Sequence, residues 1–416
     1  MNTKCIIRTV VRIAIGILFI FSGYVKAIDP IGSAIKFGEY FEAFGMHFLE
    51  PGALVFGILL AVLELMIGLC FLLGLQMKLA SLGALLFMAF MTILTLVLAI
   101  TDAVEDCGCF GDAIKLDNWQ TFYKNLIIDP FVIYAFIERK KFKKILCCKA
   151  EWGVIALLLI GSVGISVYTY RHLPFIDFMA YKVGVNIPEA MIMPEDAPQD
   201  VYEDGTFIYE KNGEKKTFTL DNLPDSTWTF VDAPTPKLLK KGYVPPAQGF
   251  TIAQDNVDIH EEIFEVGGYL VFINADDMNK AKTHKAAMLN DLYDYSSENG
   301  VNFMMLSGSS ETLDQAYAQK TGAEYPIYFT DATILKSMVR SNPGMMLLKD
   351  NTILKKWNYN DLPTVDEFKK VLNEDPGKII DKHYRNMSII NYTLLFIVIA
   401  LFIVLSLKAI RNNKQK

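Results

Sequence analysis

Met88-Ala89-Phe90-Met91-Thr92-Ile93-Leu94-Thr95-Leu96-Val97-Leu98-Ala99-Ile100 carries no charge, and shortly after it comes Asp106-Cys107-Gly108-Cys109-Phe110-Gly111-Asp112. Extended back to Leu79, the apolar run is long enough to cross a bilayer as a helix, which takes about twenty residues. The two cysteines then lie in a short polar connection before the next apolar run. Two thiols one residue apart serve as a redox couple, as half of a metal site or as a structural staple. The side of the membrane on which they lie bears on the choice.

Six stretches have the length and apolarity of spans: Ile6–Ala27, Gly52–Leu75, Leu79–Ile100, Trp119–Ile137, Trp152–Tyr170 and Ile389–Leu407. The residues Ser22-Gly23-Tyr24-Val25-Lys26-Ala27-Ile28-Asp29-Pro30 lack a small-x-small cleavage site, so the first run reads as a retained helix. Basic residues mark the cytoplasmic side. Lys4, Arg8 and Arg12 precede the first run, Lys78 separates the second and third, Arg139, Lys140, Lys141, Lys143, Lys144 and Lys149 separate the fourth and fifth, and Lys408, Arg411, Lys414 and Lys416 follow the sixth. The alternate connections carry Glu39, Glu42, Glu50, Asp102, Glu105, Asp106 and Asp112. This alternation places both termini in the cytoplasm, Cys107 and Cys109 outside, and the hydrophilic interval Arg171–Met387 outside as an exported domain. A hydrophobic content of 52% with positive mean hydropathy fits a membrane chain carrying such a domain. The formal net charge of −6 leaves no basic footprint for nucleic acid.

Of the six cysteines, Cys5 and Cys70 fall near cytoplasmic ends of runs, and Cys147 and Cys148 fall in a basic connection. Only Cys107 and Cys109 are then expected on the oxidising side. A disulfide between residues i and i+2 closes a small strained ring, and strain makes a disulfide more readily reduced. Gly108 supplies the backbone freedom such a ring needs. A structural zinc site wants four ligands, and the outer connections add only His47 and His172 to their carboxylates. A redox dithiol and a fixed staple both stay open at this point.

Glu64 in the second run and Asp129 in the fourth are ionisable residues within apolar surroundings, where they are costly and usually face a bundle interior. They are candidate proton or quinone contacts at a shared depth. The alternative is mutual hydrogen bonding, or repair by Asp129 of backbone freed by Pro130.

Taken together, Ser22-Gly23, Lys26, Asp29-Pro30, Glu64, Asp106-Cys107-Gly108-Cys109-Phe110-Gly111, Asn125 and Asp129 resemble the DoxX-like and MauE-like four-helix membrane proteins. The resemblance spans roughly Ile6 to Lys144. It implies a four-helix bundle tied to redox chemistry in the bacterial envelope. The MauE-like branch is associated with disulfides of exported methylamine dehydrogenase and the DoxX-like branch with quinone-coupled oxidation. The arrangement is also similar to the vitamin-K-epoxide-reductase type of disulfide oxidase, which passes electrons to a second cysteine pair near quinone. This chain has one such exported pair, so either quinone meets Cys107 and Cys109 directly or an external partner reoxidises them.

Beyond Arg171 the pattern changes. Thr206–Glu210 and Lys215–Leu220 flank an Asn212-Gly213 turn and read as a hairpin. Pro234, Pro236, Pro245 and Pro246 mark a linker. Then strand Tyr269–Ile273, helix Lys280–Glu298, strand Val301–Leu306, helix Leu313–Thr321, strand Pro326–Phe329, helix Ala332–Val339, strands Met345–Leu348 and Thr352–Trp357, and helix Val365–Leu372 follow one another. This order resembles a thioredoxin-like fold, with Pro343 matching that family's cis-proline. Where the family carries cysteines, this chain has Asn274-Ala275-Asp276-Asp277-Met278-Asn279-Lys280, so the domain cannot exchange disulfides. Asn342 and Pro343 are the candidate edge of a peptide-binding groove, and a purely structural cap over the bundle is the other reading.

The expected organisation is a four-helix membrane domain over 1–145, a fifth transmembrane helix over 146–170, a β-rich segment and linker over 171–248, a thioredoxin-like periplasmic domain over 249–387, and a transmembrane anchor with basic tail over 388–416. The expected setting is the bacterial inner membrane. The expected role is envelope thiol redox support, with quinone as possible cofactor and a periplasmic thiol protein or peptide as possible partner. The alternative is a non-enzymatic binding scaffold in which the cysteine pair is a structural disulfide. The remaining histidines, His260, His284 and His383, are scattered and suggest no metal centre.

Overall fold

A computed structural model describes residues 3–414 apart from 105, 143, 144, 237 and 241. Glu105, Lys143, Lys144 and Lys416, counted among the charges above, lie outside the described residues. The chain opens with α1 (Thr3–Ile28). It breaks at Asp29, whose carboxylate accepts from the Gly32 N–H at 2.9 Å, and restarts with Pro30 as the first residue of α2 (Pro30–Ala43). Proline fits there because a first-turn N–H would have no helical partner. Sequence patterning read this stretch as an acidic loop. It is a helix instead, because Ile31, Ile35, Phe37 and Phe41 recur at helical spacing; Phe37 and Phe41 pack against Phe56.

Helix α3 (Ala53–Leu73) ends at Gly74, whose φ of +70 suits glycine. Helix α4 (Met77–Thr101) runs to Asp102, and α5 (Asn118–Ile137) starts in a capping box between Asp117 and Gln120. Helix α6 (Cys148–Arg171) follows. Helix α1 packs on α3, and α4 packs on α5. Gly16, Gly23 and Gly68 let α1 and α3 approach closely: a Cβ on Gly16 would lie 2.8 Å from the Leu72 nitrogen. Small residues at such crossings are how helices gain contact where lipid supplies no hydrophobic drive.

After α7 (Ile187–Met191), strands β1 (Val201–Tyr202), β2 (Thr206–Lys211), β3 (Glu214–Thr219), β4 (Thr229–Asp232) and β5 (Leu238–Lys240) form two small sheets, β3-β2-β4 and β1-β5. The expected hairpin is β2–β3, with Asn212 and Gly213 both at positive φ. The main sheet takes in β6 (Ala253–Gln254), β7 (Val257–Asp258), β8 (Tyr269–Ala275), β9 (Asn302–Ser307), β10 (Ile327–Phe329), β11 (Gly344–Lys349) and β12 (Thr352–Asn358), in the order β12-β11-β8-β9-β10-β6-β7. Strands β8, β9 and β10 are parallel, whereas β11 and β12 are antiparallel additions. The connecting helices are α8 (His260–Glu265), α9 (Ala286–Glu298), α10 (Glu311–Thr321), α11 (Ala332–Met338) and α12 (Val365–Leu372).

Two apolar cores sandwich this sheet. Phe250, Phe264, Phe272, Leu335 and Met338 fill one face, and Leu289, Leu292, Tyr317, Trp357 and Phe368 fill the other. The Asn342–Pro343 bond is cis, as expected, and β8 is interior. Two expectations need correction. Helix α9 starts at Ala286 rather than Lys280, because Asp277 holds a turn by accepting from the backbone N–H groups of Asn279 and Lys280. The expected boundary at 248 does not separate packing units, since Tyr181, Val183 and Ile187 share a core with Phe250 and Phe272.

The chain leaves through α13 (Pro376–Lys414), so the expected start of the anchor at 388 falls inside a continuous helix. Among the described residues five helices are long and apolar enough to cross a membrane: Thr3–Ile28, His47–Leu73, Met77–Thr101, Cys148–Arg171 and Pro376–Lys408. The expected fourth span, Trp119–Ile137, does form a helix as α5. It falls short of that apolarity because it carries Lys124, Asn125 and Asp129.

Candidate functional site

The connection between α4 and α5 does not stand out as a free loop. Asn118 of α5 donates its side-chain amide to the carbonyl of Val104 at 2.8 Å, and the chain then folds back over the end of α1. Ser22 Oγ donates to the Cys109 carbonyl at 2.8 Å, and Lys26 Nζ donates to the same oxygen. Tyr40 of α2 donates its hydroxyl to the Cys107 carbonyl at 2.5 Å. Asp106 accepts from the Gly108 N–H at 2.8 Å and meets Lys36 Nζ at 3.3 Å. Gly108 has a φ of +61, which explains the glycine between the cysteines. Cys107 is only 5% exposed. The expectation of an exported, loop-borne pair is therefore corrected: Cys107 and Cys109 belong to the membrane region, held there by side chains of α1 and α2.

The two thiols are free, with their sulfurs 2.8 Å apart in a hydrogen bond. That bond is the largest influence on both. It draws Cys109 down against the burial that would raise it, with Lys124 and Lys26 adding to the lowering. The same bond, joined by burial, pushes the Cys107 thiol up. Burial also raises Tyr40, which keeps its hydroxyl a donor.

Glu64 is buried, 3% exposed, as its position in an apolar run suggested. Its partner is Lys26, whose ammonium lies 2.9 Å from Glu64 Oε2 and also donates to Ser22 Oγ at 2.9 Å. Asp129 does not share this cluster; its carboxylate accepts from Thr92 Oγ1 of α4 at 2.9 Å. The expected common cavity for Glu64 and Asp129 is thus corrected, because α5 packs its Asp129 face on α4 while Glu64 of α3 faces α1. Asn125 donates to Thr95 Oγ1 at 3.1 Å across the same α4–α5 contact. Asn342 and Pro343 sit beside the Asn274–Asn279 segment. The Asn342 side chain donates to the Asp277 carbonyl at 2.7 Å, and its own carbonyl accepts from the Lys282 N–H at 3.2 Å. The chain's own segment therefore occupies backbone groups that a bound peptide would use.

Two cavities meet the dithiol. One, of about 550 Å³, lies between α2, α4, the cysteine loop and the α/β domain. Lys26, Tyr40, Cys107, Cys109 and Arg340 line its polar part, and Phe37, Phe90, Met91 and Leu94 its apolar part. The other, of about 30 Å³, lies behind the loop among Ser22, Glu64, Cys109, Lys124 and Asn125. Arg340, 6% exposed, ties the α/β domain to this region. Its guanidinium donates to Asp29 at 3.0 Å and to Asp112 at 2.8 Å. Among the described residues no group of three or more metal-ligating side chains converges.

Lys26, Lys124 and Arg340 were not singled out as site residues in the sequence. A signal existed for the first two, since each is a lone lysine within or at the end of an apolar run. Arg340 had none, because its acidic partners are hundreds of residues away in the chain.

Residues 4–136 match the sequence family described as methylamine utilisation protein MauE, and residues 204–241 match a domain of unknown function (DUF8463). The first match takes in α1 to α5 and the dithiol loop, so this part is a MauE-like membrane region. The second covers the small sheet β3-β2-β4. Neither match extends to a DoxX-like or thioredoxin-like assignment. A search of curated proteins returned no match.

Proposed function

We propose that this protein supports thiol and disulfide redox chemistry at the outer face of a bacterial inner membrane, with Cys107 and Cys109 as the redox couple. The observation that carries the proposal is the pair itself: two free thiols in contact, lining a cavity of about 550 Å³ that joins a polar to an apolar wall. A structural staple would not need that access. The size falls within the usual range for small-molecule sites. Phe37, Phe90, Met91 and Leu94 suit an apolar tail beside the cysteine pair, so the lining fits a membrane quinone. A quinone bound there would accept the two electrons and two protons released when the two thiols join as a disulfide. The chain's own part is to hold the sulfurs together through the carbonyl bonds from Ser22, Lys26 and Tyr40 and to surround them with apolar side chains. The resulting disulfide would be returned to the dithiol by a partner protein carrying two thiols.

The topology we infer has both termini in the cytoplasm, which needs α5 as a sixth crossing. At 20 residues α5 is about 30 Å long, enough to span the hydrocarbon core. Its polar residues Asn125 and Asp129 bond to Thr95 and Thr92 of α4 instead of meeting lipid. The parallel β8-β9-β10 order and the antiparallel β11–β12 pair support a thioredoxin-like reading of the α/β domain. Without cysteines, it acts as a cover docked over the dithiol through Arg340, in place of the peptide binder otherwise suggested by Asn342 and Pro343.

Alkylation trapping in cells tests the proposal. Cys107 and Cys109 are expected as a mixture of reduced and oxidised forms that shifts toward the reduced form when quinone synthesis is blocked, since only a couple poised near its surroundings responds to them. A pair that stays oxidised in both conditions, with normal function in a Cys107→Ser, Cys109→Ser double variant, would instead establish a staple within a scaffold.

A further inference from the structure

We propose that the larger cavity opens sideways into the bilayer between α2 and α4, so that its ligand enters from the lipid with an apolar chain trailing past Phe90. The proposal deepens the redox reading above and rests on it for the identity of the ligand's ring. The opening is marked by residues that belong to two surfaces at once. Phe90 of α4 lines the cavity and is 64% exposed; Phe44, just beyond α2, lines it and is 39% exposed. Leu86 and Ile93 flank Phe90 on an exposed apolar face of α4, so what meets that face in a membrane is lipid. Phe90 stands roughly 16 Å along the helix axis from the end of α4 at Thr101, well into a hydrocarbon core. The far end of the same cavity reaches Ser337 and Arg340 of the α/β domain.

The helices leave this side open because α2 packs on α3, where Phe37 and Phe41 meet Phe56. Helix α2 meets α4 through Tyr40, which packs near Leu94 and Leu98 while its hydroxyl holds the Cys107 carbonyl. Toward the α/β domain, ion pairs stand across the cavity. Arg340 joins Asp29 to Asp112, and Lys36 joins Glu39 to Asp106. A molecule arriving from that side has to part these charges. One arriving between α2 and α4 slides past Phe44, Leu60, Phe90 and Leu94 and breaks no polar contact.

The volume points to the same ligand. About 550 Å³ holds a quinone ring and the beginning of its chain, not a long isoprenoid chain entire. The rest of the chain has to lie outside, and lipid receives it without exposing apolar surface to water. Phe90 is then a specificity-determining residue that contacts the chain, while the ring lies beside Cys107 and Cys109.

Photolabelling tests the opening without turnover. Full-length protein in lipid nanodiscs would be irradiated with decyl benzoquinone bearing a diazirine midway along its chain, and the labelled residues located by peptide fragmentation. Labelling is expected at Phe44, Met46 or Phe90 and should be suppressed by excess unlabelled decyl benzoquinone. Phe90→Ala should weaken half-saturation several-fold. Phe131→Ala, which removes a 50% exposed ring of α5 outside the cavity wall, should leave it unchanged. Label found instead around Ser337, label that excess quinone does not suppress, or equal losses in the two variants would overturn the proposal; the map in the unsubstituted chain decides the matter even if Phe90→Ala fails to fold. The redox reading fails separately: a cysteine pair that proves static under quinone depletion removes that reading, while suppressible label at Phe90 still establishes the opening.

Discussion

Lys26 and Glu64 form a buried pair whose net stabilisation is small but whose halves are costly alone, because each charge has been taken out of water. Glu64→Leu should therefore destabilise the protein by about 3–5 kcal/mol by stranding the Lys26 charge, whereas Lys26→Met combined with Glu64→Leu should recover most of the loss. Thermal unfolding in a fixed detergent would check both. Asp276, in the turn after β8, makes the opposite case. Burial raises its carboxyl above the ordinary value, so the folded chain holds the proton more tightly than the unfolded one. The stability this contributes is fully present below the ordinary carboxylate value and is lost as pH rises through the raised folded value. Asp276→Asn should thus raise the melting temperature at neutral pH, and the gain should vanish near pH ~4. Glu64 was legible in the sequence as an ionisable residue in an apolar run. Lys26 as its partner was not, because pairing depends on which helices touch.

Contact between α1 and α3 is set by glycines more than by large side chains. A Cβ on Gly68 would come within 2.9 Å of the Gly16 carbonyl, backbone that cannot move aside without separating the helices. Gly68→Leu should cost about 1–3 kcal/mol through overpacking and loosen the Lys26–Glu64 contact. Gly161→Leu in α6, where an added Cβ meets nothing within 4 Å, should be close to neutral. Comparing the melting temperatures of these two variants separates crowding from the general effect of replacing glycine. The helices themselves were readable from hydropathy to within a few residues at most ends. Helix α2 was not read, since fourteen residues of mixed polarity between acidic positions look like a loop until α3 offers an aromatic surface for them.

Two long helices join the α/β domain to the bundle. Helix α6 leads into it, where Asn360 donates to the Arg171 carbonyl at 2.6 Å, and α13 leads out, where the Tyr384 hydroxyl donates to the Val183 carbonyl at 2.7 Å. Between these struts Arg340 bridges Asp29 at the start of α2 and Asp112 just beyond the dithiol, so one side chain holds the domain over the larger cavity. Arg340→Gln should leave two carboxylates facing each other across that contact and lift the cover. Modification of Cys109 by a bulky maleimide is expected to accelerate several-fold in this variant, with little change for small iodoacetamide; equal rates for both reagents in wild type and variant would show that the cover does not limit access.

Apolar runs, cap residues, the Asn212-Gly213 turn and the Cys107-Gly108-Cys109 spacing are local properties, and the sequence alone determined the helices and strands that follow from them. It also determined that the α/β domain has no sulfur chemistry of its own. Contacts distant in the chain arose only from folding: the burial of the dithiol against α1, the Lys26–Glu64 pair, the separation of Asp129 from Glu64, and the reach of Arg340 to Asp29 and Asp112. The physical reason is that hydropathy and capping act over a few residues, whereas the partner of a charge is fixed by which surfaces pack together. Packing here depends on glycine crossings and shape complementarity that no short window of sequence records.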